Sequence, residues 1–175
     1  MIADGVQWIT AEVLGLVSAN LAFVGPIVFA LGFAESIVFL SLLVPSTLLF
    51  LAIGGLHHAA GGTFWEVWLW GAAGAFLGDI VSYSAGRYFK EDIAGVWPFS
   101  AKPEWYVLAR AFEKKWGALG IVGSKFFGMM RPFVPVVAGA MHMRWPVFLP
   151  ASALSALLWS GTFLSPGYGL GWLMK

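Results

Sequence analysis

Cysteine is absent from this 175-residue chain, and charge is scarce, with Asp, Glu, Lys and Arg making up 11% of it. The first absence excludes disulfides, cysteine metal sites and a cysteine nucleophile. The second excludes an ordinary soluble domain, in which about 25% of residues are charged. The formal net charge of +1 says little about partners, and no nucleic acid is expected. A basic leader is missing too: the N-terminus carries Asp4 and Glu12, no cleavage site stands out, and no removable signal peptide is expected. What is present is apolar, at 59% hydrophobic residues. No Asp, Glu, Lys or Arg occurs from Val13 to Ala34, from Ser36 to Trp65, or from Trp145 to Met174. The last two windows exceed the roughly 20 residues that a spanning helix needs. The expected class is an all-α integral membrane protein.

Against that background the stretch Gly123 to Gly139 stands out, because it is apolar yet holds Lys125, Arg131, Pro132 and Pro135. A Lys or Arg at mid-bilayer costs roughly 2.5 to 3.5 kcal/mol on insertion scales, so both should face protein, a cavity or an anionic ligand. Asp79, which follows Gly78 inside another apolar run, is a candidate functional carboxylate for the same reason.

Taken in order, the chain reads as a single polytopic domain over 1–175. Residues 6–20 suit an interfacial or first helix. Residues 21–58 suit a helix and a re-entrant hairpin bent near Pro45, since two full spans need more length. Residues 63–86 suit a spanning helix, with Trp65, Trp68 and Trp70 at one end, Tyr83 and Tyr88 at the other, and a Gly74-xxx-Gly78 pair for close packing. Arg87, Lys90, Lys102, Arg110, Lys114 and Lys115 place the charged loop 87–116 on the cytoplasmic side. The spacing of Trp105, Leu108, Ala109, Phe112 and Trp116 predicts an amphipathic helix there, starting at Pro103-Glu104. Residues 119–143 suit a second re-entrant hairpin and 145–173 a transmembrane helix. Pro146, Pro150 and Pro166 narrow its straight part to 151–165, with Trp159, Tyr168 and Trp172 in interfacial or packing roles.

An internal echo links the halves. The spacing from Glu35 to Val44-Pro45 equals that from Lys125 to Val134-Pro135, and each unit leads into a long apolar segment. Two hairpin-plus-helix units entering from opposite sides form an inverted repeat with a site near the midplane. The first unit carries an acid where the second carries a base.

These residues carry a resemblance. Glu35 with Val44-Pro45-Ser46, the run from Gly74 to Arg87 that includes Gly78-Asp79, Tyr83 and Gly86-Arg87, the run from Lys125 to Gly139 that includes Arg131, Pro135 and Ala138-Gly139, and Met143 to Phe148 together resemble the DedA family of prokaryotic membrane proteins. That family is related to the eukaryotic VTT-domain proteins once called SNARE-associated. The resemblance implies two facing re-entrant hairpins in the cytoplasmic (inner) membrane and lipid transport. The transport is that of an undecaprenyl phosphate flippase or a phospholipid scramblase, with proton motive force driving some members. It also implies an acid at Glu35, a second acid in the first hairpin, and basic residues at Lys125 and Arg131. This chain departs at Thr47, which replaces the second acid and carries no charge, and at Lys125, where Arg is usual. Asp79 is the candidate to supply the missing acid.

The resulting expectation is a non-enzymatic transporter of an anionic lipid. Lys125 and Arg131 hold phosphate, Glu35 neutralises both cations in the empty state, and Glu35 and Asp79 couple protons or charge. Pro45, Ser46, Thr47, Gly78, Tyr83, Gly86, Arg87, Pro135 and Gly139 serve as hairpin-tip or supporting residues. The alternatives are a cation/proton antiporter using a monovalent cation, and a scaffold or regulator of membrane composition in which the charges only lock the hairpins. A homo-oligomer stays open, and no cofactor or metal is expected. Gly78-Asp79 is half of an intramembrane aspartyl protease motif, but no Tyr-Asp partner exists. His57 and His58 are adjacent and point apart on a helix, His142 has no neighbouring carboxylate, and no Gly-x-Ser-x-Gly elbow occurs.

Overall fold

The computed structural model describes residues 21–37, 41, 46–96, 99–128 and 130–173. The expected helix 6–20 and Pro45 lie outside the described residues. Within them there is no strand, and the chain forms six α-helices. These are α1 (Val24–Ser36), α2 (Ser46–Ala59), α3 (Phe64–Phe89), α4 (Pro103–Ser124), α5 (Met130–Ala140) and α6 (Trp145–Leu173). A 3-10 turn, Leu21–Phe23, precedes α1, and a second 3-10 helix, Lys90–Gly95, follows α3.

Helix α3 is the centre of the bundle, with α1, α5 and α6 packed on it, while α2 lies on α6 and α4 covers α5 and α6. Glycines set the closest crossings. A Cβ on Gly32 would come within 2.7 Å of the Gly71 carbonyl oxygen, and one on Gly78 within 2.6 Å of the Phe33 carbonyl oxygen. The Gly74-xxx-Gly78 pair thus lets α1 lie against α3, the use that small residues have between apolar helices. At the other end of α3, Gly86 faces the Val136 backbone and Gly139 faces the Tyr83 backbone, so α5 crosses α3 with no side chain between them.

Two cores result. Val24, Val28, Leu49, Phe50, Ile53, Val67, Trp159 and Leu164 bury one end of the bundle, where α1, α2, α3 and α6 meet. Tyr83, Ile121, Val134, Ala138, Phe148 and Ala151 bury the other, where α3, α4, α5 and α6 meet. Every residue of α5 from Arg131 to Ala140 is buried, so this helix is enclosed by protein. That placement fits its two cation-flanking prolines and its hydrophobicity on all sides.

Among the described residues, one helix is long and apolar enough to cross a membrane: α6, whose segment Trp145–Gly169 has a mean hydropathy of 1.6. The helix runs from Trp145 to Leu173, the expected extent, and continues through Pro150 and Pro166. The carbonyl of Thr162, which Pro166 leaves without an N–H, accepts the Ser165 hydroxyl at 3.5 Å, one way a proline is tolerated inside such a helix. Helix α3 has 26 residues, about 39 Å at 1.5 Å per residue, but carries Glu66, Asp79 and Arg87. With 13 and 14 residues, α1 and α2 reach only about 20 Å, short of the roughly 30 Å hydrocarbon layer.

Helix α4 starts with Pro103 in its first turn and bends at Gly117, whose φ of 50° and ψ of −125° suit only glycine. The apolar pattern predicted for its first part is divided in the structure. Ala109 is buried and Trp105 and Phe112 are half-buried, whereas Leu108 and Trp116 are exposed alongside Val107 and Leu119.

Candidate functional site

Glu35 and Ser36 close the last turn of α1, Asp79 lies midway along α3, Lys125 and Arg131 flank the break between α4 and α5, and Ser152, Trp159 and Phe163 line one face of α6. The fold draws all of them into one buried cluster. Glu35 is 5% exposed, Asp79 0%, Lys125 1% and Arg131 7%, so four ionisable groups are removed from solvent together.

They form two pairs. The Lys125 ammonium donates to Asp79 Oδ1 at 2.8 Å and to the Ser36 hydroxyl at 3.1 Å. The second carboxylate oxygen of Asp79 accepts the Ser152 hydroxyl at 2.7 Å, leaving both oxygens occupied. The Arg131 guanidinium pairs with Glu35 Oε1, and Arg131 Nε donates to the Lys125 carbonyl at 3.2 Å. Glu35 Oε2 is buried with no hydrogen-bond partner. Glu35, expected to face both cations, pairs with Arg131, and Asp79, the candidate for the missing acid, pairs with Lys125. The end of α1 reaches both cations, Ser36 meeting Lys125 and Glu35 meeting Arg131, while α3 supplies the carboxylate for Lys125.

The role expected for Trp159 needs correcting. It is 1% exposed, and its ring lies 4.7 Å from the Arg131 guanidinium carbon and 5.9 Å from the Lys125 nitrogen, with Phe163 5.6 Å from Arg131 on the same helix. Aromatic faces stabilise desolvated cations by about 2 kcal/mol or more, so this ring belongs to the charge cluster and is not mere packing. Ser36, Ser152, Ser155, Trp159 and Phe163 were not among the expected site residues. The signal for them was present: Ser152, Ser155, Trp159 and Phe163 recur at helical spacing along a charge-free span. Ser155 donates to the Ile121 and Val122 carbonyls at 3.1 and 3.0 Å, pinning the end of α4 to α6 beside Lys125.

The supporting residues fall into separate places. Tyr83 donates its hydroxyl to the Met143 carbonyl, and Arg87 donates to the Tyr83 hydroxyl at 2.9 Å and to the Met143 carbonyl at 3.2 Å. Gly86 and Gly139 lie beside this clamp as the contact points of α3 and α5. Tyr83, Gly86, Arg87 and Gly139 thus fix the α5–α6 turn, about 12 Å along α3 from Asp79 if Arg87 is the marker. Pro135 sits inside α5, where its missing N–H leaves the Arg131 carbonyl without an intrahelical donor. Gly78 is at the α1 contact beside Asp79, and Ser46 and Thr47 open α2.

The histidines take no part. His57 and His58 both flank the Tyr168 ring, with centroids 6.2 and 5.2 Å away, at the far end of the bundle. Among the described residues no group of three or more His, Asp or Glu side chains is arranged to hold a metal ion.

Residues 44–169 match the VTT domain family. The inner membrane protein YabI of Escherichia coli is 30% identical over 80% of the chain and 55% of its own length. An uncharacterized membrane protein of Mycobacterium leprae is 31% identical over 96% of the chain and 73% of its own length. Protein DedA of Escherichia coli is 34% identical over 55% of the chain and 45% of its own length. The chain spans 55–64% of the length of YabI and of two uncharacterized membrane proteins from Buchnera aphidicola strains. No solved structure matches the chain.

Proposed function

This chain belongs to the VTT-domain family that includes DedA and YabI, and on that premise we propose that it moves the phosphate headgroup of an anionic lipid across a prokaryotic inner membrane. The lipid is undecaprenyl phosphate or a phospholipid. In this reading the α4–α5 turn is the tip of the second of two re-entrant hairpins of an inverted repeat, α1 and α2 are the limbs of the first, and the charged loop 87–116 faces the cytoplasm. The shortness of α1 and α2 supports this reading, since neither alone crosses the hydrocarbon layer.

The carrying observation is the unequal satisfaction of the two buried pairs. Buried ion pairs often stabilise a fold no better than apolar packing, so two of them at this depth point to use beyond stability. Asp79 has both oxygens occupied, and Lys125–Asp79 suits a fixed tie that presents the ammonium. Glu35 keeps one oxygen free, and Arg131–Glu35 is the exchangeable pair. A phosphate entering between them takes two parallel donors from Arg131, with Lys125 supplying a further charge. Glu35, displaced from its cation, takes up a proton and gives it back when the lipid leaves. Trp159 and Phe163 hold the guanidinium plane throughout.

Reconstitution into liposomes carrying labelled polyprenyl phosphate or phospholipid tests this. Accelerated movement between leaflets, lost in Arg131→Gln and reduced in Glu35→Gln, is expected. Rates equal to those of empty liposomes refute it. A variant series in which dye-reported cation/proton exchange depends on Glu35 and ignores lipid phosphate selects the antiport reading instead. The Lys125–Asp79 half also fits a structural lock, and Lys125→Met separates the two roles by its effect on folding against transport.

A further inference from the structure

A separate concavity of about 240 Å³ opens between α4 and the α5–α6 turn, lined by Tyr106, Arg110, Ala140, Met141 and His142. It lies at the end of the bundle that carries the basic loop. Three potential donors border it: the Arg110 guanidinium, the His142 imidazole and the Tyr106 hydroxyl. No carboxylate lines it, and among the described residues neither Arg110 nor His142 has an ion-pair partner.

His142 is held there at a backbone cost. Its φ is 58°, in the left-handed region. The His142 N–H donates to the Gly139 carbonyl at 2.9 Å and the Met143 N–H to the Ala138 carbonyl at 3.0 Å. This is the closing pattern of a Schellman motif with His142 at the position that usually takes glycine. A non-glycine residue there is strained, and such strain clusters where a side chain is needed in place. The neighbours are fixed as well. Arg87 and Tyr83 grip the Met143 carbonyl from behind, and Tyr106 packs edge-on against Phe99 at 5.5 Å.

We propose that Arg110, His142 and Tyr106 form a second anion site, for a phosphate group presented at the membrane face by a lipid headgroup or by a soluble phosphate compound. It is distinct from the buried cluster: Arg110 and His142 are exposed, whereas Lys125 and Arg131 are enclosed. Its geometry suits capture, because donors with no fixed partner accept an anion without first releasing a carboxylate. The charge-assisted bond from the guanidinium is the strong kind for phosphate, and the ring N–H and the hydroxyl add neutral donors.

The full chain, labelled on histidine, tests this by magnetic resonance in phosphatidylcholine nanodiscs. His142 signals are assigned by their loss in His142→Asn. One arm adds inorganic phosphate and the other replaces part of the lipid with phosphatidic acid. Saturable movement of the His142 signals in either arm is expected, with His57 and His58 unmoved at the opposite end. Response to phosphate alone assigns a soluble ligand, and response to phosphatidic acid alone assigns a headgroup. Arg110→Gln, which removes no hydrogen bond or ion pair among the described residues, should weaken the apparent affinity at least about tenfold, or 1.4 kcal/mol. Absence of saturable movement in both arms overturns the proposal, as does an Arg110→Gln affinity equal to that of the parent chain.

Discussion

Replacing Asp79 with Asn leaves the Lys125 ammonium in a site where it is 1% exposed, with only neutral acceptors beside it, the new amide oxygen and the Ser36 hydroxyl at 3.1 Å. Stranding one member of a buried ion pair costs about 3 to 5 kcal/mol, more than the pair itself is worth, because the abandoned charge keeps its desolvation penalty. For a chain of this size each kcal/mol shifts the unfolding midpoint by roughly 2 to 4 °C, so Asp79→Asn should lower it by roughly 6 to 20 °C. Lys125→Met should be milder, since Asp79 retains Ser152 and can take up a proton. The double variant Asp79→Asn with Lys125→Met removes both charges at similar volume and should return to within about 1 kcal/mol of the parent. Thermal unfolding in detergent micelles, followed by the fluorescence of Trp159 and its neighbours, measures all three. An Asp79→Asn midpoint within about 1 °C of the parent, or a double variant no better than the worse single one, refutes the reasoning that the ammonium is dry and tied to Asp79. The double variant has a second use. Being folded, it shows whether transport needs the Lys125 charge or only the tie.

Other expectations follow from the same geometry. Gly86→Ala puts a methyl group against the Val136 backbone and should cost about 1 to 3 kcal/mol in unfolding midpoint measurements; an unchanged midpoint would mean α3 and α5 are not in backbone contact there. Tyr83→Phe removes the bonds to Met143 and Arg87 and should cost about 1 to 3 kcal/mol by the same measurement. His142→Gly relieves a positive φ and should hold or raise the midpoint by about 1 kcal/mol; a lower midpoint would assign the imidazole to capping α5. Burial raises the Glu113 carboxyl pKa in the charged first part of α4. Its contribution to stability is then fully present below the ordinary carboxylate range and lost as pH rises through the raised value. Glu113→Gln should therefore narrow the gap in unfolding midpoint between acidic and neutral pH, and an identical gap in both chains would refute the assignment.

Much of this protein was legible without coordinates. The charge-free windows and the lone Asp79, Lys125 and Arg131 within apolar runs identified a membrane protein and its buried charges, because ionisable groups at membrane depth are too costly to be incidental. Gly74, Gly78, Gly86 and Gly139 marked close backbone approach, and each does meet a neighbouring helix. The α6 helix has the extent 145–173 read from the sequence, but local propensity says nothing of the Ser165 hydroxyl that covers the carbonyl freed by Pro166.

The sequence by itself determined which side chains must be hidden, through the cost of leaving them in lipid. Only the tertiary structure decided their partners. Lys125 and Asp79 lie 46 positions apart and Asp79 and Ser152 lie 73 apart, and no local period relates them. The crossing of α1, α3, α6 and the α4–α5 turn at one level brings them together, dividing four charges into one satisfied pair and one with an oxygen still free. Pairing at such separations is a property of how helices pack, set by glycine contacts that fix distance and by core side chains that fix rotation.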